Sequence, residues 1–186
     1  MHNLTTTTAL GGTTPRVDTI GTVTITEQSG VALASIASRR GGEKKTLAAI
    51  KSMIKTDAPA PGHAAVGGDY AVFWTGPDQW MVAASNAAHE MLADELKHVF
   101  KDAASITEQT GAWVQFDVAG DARIDMLERL TALPVRTMQG LDANRTRIEQ
   151  MGCFVLCFGD VFGIVGPRAS AKSLHHALVT AAQSVA

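Results

Sequence analysis

Chemistry needs reactive side chains brought within reach of one another, and this sequence offers few such groupings. Asp117, Asp121 and Asp125 form its tightest carboxylate series, the kind of set that divides acid and base work when different surroundings push the pKa values apart. Straddling a strand end and a helix start gives these residues a plainer task, which is to cap the helix and complement its positive N-terminus. The six histidines, His2, His63, His89, His98, His175 and His176, never form an HExxH. His89 and His98 are nine apart, not the three or four that sets two ligands on one helix face, so zinc binding by this chain alone is not expected. His175-His176 has Ala171, Lys172, Val179 and Thr180 at four residues on either side. With no carboxylate there, the pair reads as solvated or partly packed. Cys153 and Cys157 point to one side of a strand and read as small apolar fillers of a buried run. Gly159, Gly163 and Gly166 have the wrong spacing for a dinucleotide loop, and no Walker loop or Gly-x-Ser-x-Gly elbow occurs. Lys44-Lys45 reads as a solvated helix face.

The aromatic residues are few and concentrated. Trp74 and Trp80 flank the turn Gly76-Pro77-Asp78, and Trp113 opens a strand. Two readings of the hairpin stay open: its rings anchor a partner protein, as Trp often does at interfaces, or they fill the core.

These residues must be positioned by elements that the pattern of apolar groups outlines. The chain has 186 residues, 46% of them apolar and 18% charged, with a formal net charge of −2. The length suffices for a substantial core without disulfides. Balanced, scattered charge and a pI near 6.3 argue against nucleic-acid binding, which needs a concentrated basic face. No apolar run is long enough to cross a bilayer, Met1 to Thr8 has no signal-like pattern, and two cysteines suit a reducing compartment, so a cytoplasmic protein is expected. Threonine-rich residues 1–16 read as a flexible leader. Strands are expected over 18–28 and 31–38, followed by a helix with Leu47, Ile50 and Ile54 inward and a loop over 56–68. A hairpin over 70–84 precedes a helix over 87–101 capped by Ser85 or Asn86, with Leu92, Leu96 and Val99 inward. Strands over 104–109 and 113–118 lead to a helix capped by Asp121 that turns Ile124 and Leu127 inward. A hairpin over 153–165 and a final helix from Ser170, with Leu174, Leu178 and Ala181 in one stripe, repeat the middle third in outline. The expected fold is therefore α+β. Two related split β-α-β halves, over 17–110 and 111–186, place antiparallel sheets under helices in one compact body. The hairpins are apolar throughout, so both sheet faces should be covered.

Several segments resemble the gamma subunit family of heterotetrameric sarcosine oxidase. Trp74-Thr-Gly-Pro-Asp-Gln-Trp80-Met-Val is similar to the family's L-G-P-D-E-W-L segment. Val114-Gln-Phe-Asp-Val-Ala-Gly120-Asp-Ala-Arg-Ile-Asp-Met-Leu127 is similar to its strand ending in glycine before an Ala-containing helix. Arg145-Thr-Arg-Ile-Glu resembles its Arg-Thr segment, and Asp160-Val-Phe-Gly-Ile-Val-Gly-Pro-Arg168-Ala-Ser170 its D-x-F-x-L-x-V-x-R-S run. The likeness covers roughly residues 66–183. It departs at Leu133-Pro-Val-Arg-Thr-Met-Gln-Gly140, where many members carry a Leu-Asp-Leu type of segment. The resemblance implies the folate-binding fold of the aminomethyltransferases, with its two related halves. It further implies a non-catalytic subunit of a complex that oxidatively demethylates sarcosine to glycine, using oxygen and tetrahydrofolate. The partners would be alpha, beta and delta subunits, which would hold FAD, FMN, NAD and zinc, while this chain binds no cofactor. Trp74, Gly76, Pro77, Asp78, Trp80 and Arg168 are the candidate partner interface. A free-standing folate-binding or aminomethyltransferase-like protein is the alternative, with Asp117 or Glu149 as the carboxylate that would pair with a pterin. A third reading is a small-ligand module with a cleft where the halves join.

Overall fold

The computed structural model describes residues 6–186, and its elements follow the apolar pattern with three informative shifts. In chain order they are β1 (Val17–Ile20), β2 (Val23–Gln28), β3 (Val31–Ser38), α1 (Glu43–Ile54), β4 (Ala64–Gly67), β5 (Tyr70–Gly76), β6 (Gln79–Ser85), α2 (Leu92–Phe100) and β7 (Ala104–Glu108). There follow β8 (Trp113–Gly120), α3 (Arg123–Glu128), β9 (Ala143–Ile148), β10 (Met151–Phe158), β11 (Val161–Pro167) and α4 (Ala171–Gln183), with short 3-10 turns at Val135–Thr137 and Arg168–Ser170. Among the described residues no helix is long and apolar enough to cross a membrane.

The strands form two antiparallel sheets. One runs in the order β4-β5-β6-β3-β7, the other in the order β1-β2-β8-β11-β10-β9. The first lies wholly within Gly30–Gly111. The second belongs to a unit made of Ala112–Ala186 together with the described residues up to Ser29. That division corrects the expected placement of 17–28 with the first half: β2 pairs antiparallel with β8, from Val23 opposite Gly120 to Gln28 opposite Gln115. Apart from β1, which has no counterpart, the two sheets then match strand for strand. β3-α1-β5-β6-α2-β7 is a split β-α-β unit, and β8-α3-β10-β11-α4 is the same unit with β2 in the place of its last strand. β4 and β9 are corresponding additional edge strands.

The expected single strand over 18–28 is broken by a turn at Gly21-Thr22 into the hairpin β1–β2. Gly21 takes φ +55, a conformation glycine adopts at little cost. The leader is also corrected in part. Residues 1–5 lie outside the described residues, but Leu10 and Arg16 donate their backbone N–H groups to the buried carboxylate of Glu27 at 2.9 and 3.1 Å. Glu27 is 2% exposed, and a buried carboxylate requires such donors, so residues 10–16 are fastened to β2.

The helices show the third shift. α1 buries Thr46, Ile50 and Ile54 and leaves Leu47 exposed; α2 buries Leu92, Leu96 and Phe100 and leaves Val99 exposed. Both expected stripes were one residue off at one end. No side chain caps α2 or α3, whose flanking residues are Met91 and Ala122, so Ser85, Asn86 and Asp121 do not cap. α4 buries Leu174, Leu178 and Ala181 as its pattern requires. In the Gly30–Gly111 unit Ile50, Leu96 and Phe100 pack on Ile36, Val72 and Val82. In the other unit Met126, Leu127, Leu174 and Leu178 pack on Ile25, Phe116, Val118 and Ile164. Alternate strand residues Leu33, Phe73 and Met81, and likewise Phe154, Leu156 and Val165, are buried as well. The unbroken apolar runs thus correspond to strands shielded on both faces.

Candidate functional site

The β5–β6 hairpin is closed by a tight turn at Pro77-Asp78, with Gly76 opposite Gln79 and Trp74 opposite Trp80. Pro77 pre-sets its own φ, and Asp78 takes φ +55, which Asp tolerates better than most residues. Trp80 is 4% exposed, and its indole N–H donates to the carbonyl of Pro59 at 3.0 Å. It is a core residue with a satisfied polar edge and offers no surface to a partner, which corrects its place in the candidate interface. Trp74 is half-buried against the same core. The exposed tip is Pro77, Asp78 and Gln79, with Gly76 half-buried beneath it. Arg168 lies in the other unit, half-buried, with its backbone N–H on Ala112 O at 2.9 Å and its guanidinium 3.4 Å from Thr7 O.

The three aspartates do not converge. On β8, Asp117 receives the carboxamide N–H groups of Gln28 and Gln115, each at 2.7 Å and each on a different carboxylate oxygen. Asp125 accepts from Arg136 at 2.8 Å beside Glu128, which accepts from the same guanidinium at 2.7 Å. That guanidinium holds the Glu128 carboxyl below its ordinary pKa. Asp121 is exposed. Gln115 and Asp117 are two apart on one strand face and so were open to inspection in the sequence; Gln28 reaches them only through the β2–β8 pairing.

His175 is 9% exposed, and its Nε2 lies 2.7 Å from an Asp18 oxygen that also takes the Arg16 Nε–H at 2.8 Å. A second Arg16 N–H reaches the other oxygen at 3.0 Å. Asp18 therefore titrates below its ordinary value, chiefly through Arg16, with His175 adding to the shift. The Phe116 ring, 5.7 Å away, flanks the imidazole. This Arg-Asp-His chain ties α4 to β1. It escaped the sequence reading because a search for carboxylates along one helix cannot find a partner on a strand at the other end of the chain.

Cys153 and Cys157 are both buried and unbridged. Burial pushes the Cys153 thiol up to about 11 and also raises Cys157, so neither is a poised nucleophile. Lys44 and Lys45 are exposed on α1. Among the described residues, no three His, Cys, Asp or Glu side chains gather as a metal-ligand set. Glu149 and His176, considered separately in the sequence, line one groove. This open cavity of about 930 Å³ also takes Arg129, Lys172 and the small residues of α4 into its walls.

The comparisons with known proteins follow this geometry. No protein-family model matches the sequence, and no curated protein does. Among solved structures, the fold is similar to a chain of heterotetrameric sarcosine oxidase from Corynebacterium sp. U-96, solved in complex with pyrrole 2-carboxylate. The TM-score is 0.75 at 21% identity, over 91% of this chain and 88% of that one. It is also similar to glycine cleavage system aminomethyltransferase T from Bartonella henselae, with a TM-score of 0.59 at 15% identity, over 82% of this chain. This chain spans only 44% of that protein's length. The shared feature is the fold, an α+β body of two antiparallel sheets.

Proposed function

We propose that this chain is a small, non-catalytic subunit of a cytoplasmic sarcosine-oxidase-type complex, which oxidatively demethylates sarcosine to glycine with oxygen and tetrahydrofolate. The observation that carries the reading is the end-to-end correspondence of fold with a chain of similar length from a heterotetrameric sarcosine oxidase. The aminomethyltransferase, by contrast, continues well past the matched region. The ordered motifs between residues 66 and 183 support the same assignment. Alpha, beta and delta subunits are the proposed partners. FAD, FMN, NAD, zinc and tetrahydrofolate belong, on this reading, to those subunits. The exposed hairpin tip at Pro77 and Asp78, with Gly76 beneath it and Trp74 behind, is the proposed contact in one unit, and Arg168 is a separate proposed contact in the other. The role of this chain is to shape assembly and not to supply a reacting group.

The folate-binding alternative is less well supported. A pterin needs a carboxylate free to accept paired hydrogen bonds, but both Asp117 oxygens are engaged by Gln28 and Gln115, which leaves this alternative to Glu149 in the groove on α4. Co-expression of the three partner subunits with and without this chain tests the proposal. Omission is expected to lower the yield of intact complex and its turnover of sarcosine; unchanged assembly, stability and turnover would rule the role out. Saturable calorimetric binding of tetrahydrofolate by the chain alone would instead favour the folate reading.

A further inference from the structure

The groove on α4 has a consistent chemistry that the subunit assignment does not use. It lies among α4, the residues after α3 and the turn between β9 and β10. Its apolar lining comes from Leu130 and Met151 on one side and from Ala177 and Ala181 on α4. The two alanines, one helical turn apart, are each only 6% exposed, so the apolar surface open to an occupant is mainly that of Leu130 and Met151.

Charge adds a second feature to the lining. Arg129 and Lys172 line it, and among the described residues neither has an ion-pair partner. Arg16, Arg123 and Arg136, by contrast, each hold a carboxylate. Asp125 and Glu128, the acids adjacent to Arg129 in sequence, are taken up by Arg136. Glu149 is the one carboxylate in the lining, and His176 adds a ring donor. A neighbouring hollow shares Gln150 with the groove and contributes Arg145 and Arg147 from β9, the free edge of its sheet. Two cations, Arg129 and Lys172, thus face one carboxylate, Glu149, within the groove, and two further arginines line the hollow beside it, on a chain whose formal net charge is −2.

The groove is open to solvent, unlike the enclosed clefts that bury most of a small ligand. A nucleic acid would gain from the basic rim but not from the apolar floor. A protein segment with one apolar and one acidic side satisfies both features, as in helix-in-groove recognition. The geometry points to a docking groove for an acidic amphipathic segment of a partner protein. Its apolar side rests on Leu130 and Met151 beside the small residues of α4, and its carboxylates meet Arg129 and Lys172. This inference stands on the chemistry of the groove and is independent of the identity of the complex.

The full chain, immobilised, can be panned against a phage-displayed random peptide library of about 15 residues, four helical turns, with the R129E/K172E double variant as counter-selection. Enriched peptides are expected to carry Asp or Glu opposite apolar residues at helical spacing. By fluorescence anisotropy their affinity should fall by about tenfold or more, in R129E/K172E through charge and in Thr180→Trp through occlusion of the groove. All three changes are at exposed positions, and circular dichroism checks that each variant is folded; Arg129→Gln with Lys172→Gln replaces the reversals if they disturb folding. Failure to enrich over the double variant, or enrichment without acidic bias, would overturn the inference. So would binding that heparin displaces while Thr180→Trp leaves it intact, because that is general polyanion attraction. None of these outcomes depends on sarcosine turnover, so failure here and failure of the subunit assignment are separately observable.

Discussion

Asp18 accepts from Arg16 and His175 at once, and the guanidinium is the main reason its carboxyl titrates below the ordinary range. A carboxyl whose pKa is lowered on folding stabilises the native state above its unfolded pKa, about 3.9. That contribution is lost as pH falls through the lower native value. Asp18→Asn is therefore expected to lower the thermal midpoint at pH 7, with the gap to wild type closing as acid protonates the native carboxyl. Calorimetry from pH 7 down to about pH 2 checks this; a gap independent of pH would assign the loss to packing. The pairing was not legible in sequence because Asp18 and His175 lie near opposite ends of the chain, and only the β1–β2 hairpin under α4 unites them. The apolar role of Cys153 and Cys157 was legible, because burial in a strand depends on local composition and needs no distant partner. Trp80 was half legible: its hairpin was plain and both rings share one face, but the partner of its indole N–H, the Pro59 carbonyl, lies in a loop 21 residues earlier.

At the level of elements, α1 shows how a helix can be recognised while its buried face is misjudged. The inward stripe runs Thr46, Ile50, Ile54 at intervals of four, and Leu47 beside it is 43% exposed. A hydropathy pattern prefers Leu to Thr, so the stripe through Leu47 was the natural reading. The structure prefers Thr46 because its hydroxyl lies 3.1 Å from Gly42 O and 3.2 Å from Ala103 O and can donate to either, which satisfies a polar group in the core. Leu47→Lys should consequently change stability by no more than about 0.5 kcal/mol. Ile50→Ala should cost about 2–5 kcal/mol, and Thr46→Val about 1 kcal/mol through its lost hydrogen bond. Urea unfolding of the three variants measures this, and a large loss for Leu47→Lys would contradict the exposed face. α2 follows the same logic, since Phe100 and not Val99 completes its stripe. The hairpins over 70–84 and 153–165 were read more securely because each is a pair of apolar runs around a turn marked by glycine or proline, whereas the β1–β2 turn at Gly21-Thr22 interrupts one alternating run and was missed.

At the scale of the whole molecule, the repeat was legible and its closure was not. The hairpin-helix correspondence between 70–101 and 153–183 is a local pattern, whereas the strand completing the second sheet comes from residues ahead of the first. Sequence order assigns 17–28 to the unit that follows it, and only pairing with β8 moves it. If β2 is the last strand of a permuted split β-α-β unit, its covalent attachment at the N-terminal side is dispensable. Ala186 lies in contact range of Gly21, and in the sister unit Lys101, Asp102 and Ala103 suffice to join α2 to β7. A chain beginning at Gly30 and carrying residues 22–29 after Ala186 through a linker of about three residues, a common connection length, with Glu27→Leu because Leu10 and Arg16 no longer supply its donors, should therefore fold with the order β2-β8-β11-β10-β9 in that sheet. A chain beginning at Gly30 with nothing appended loses the burial of Val23 and Ile25, about 1.5–3 kcal/mol each, and leaves the β8 edge unpaired. It should melt lower and be cut by protease far faster than the permuted chain. Equal protease resistance in the two would mean that β2 only covers an edge, and that Ala112–Ala186 closes its sheet without it.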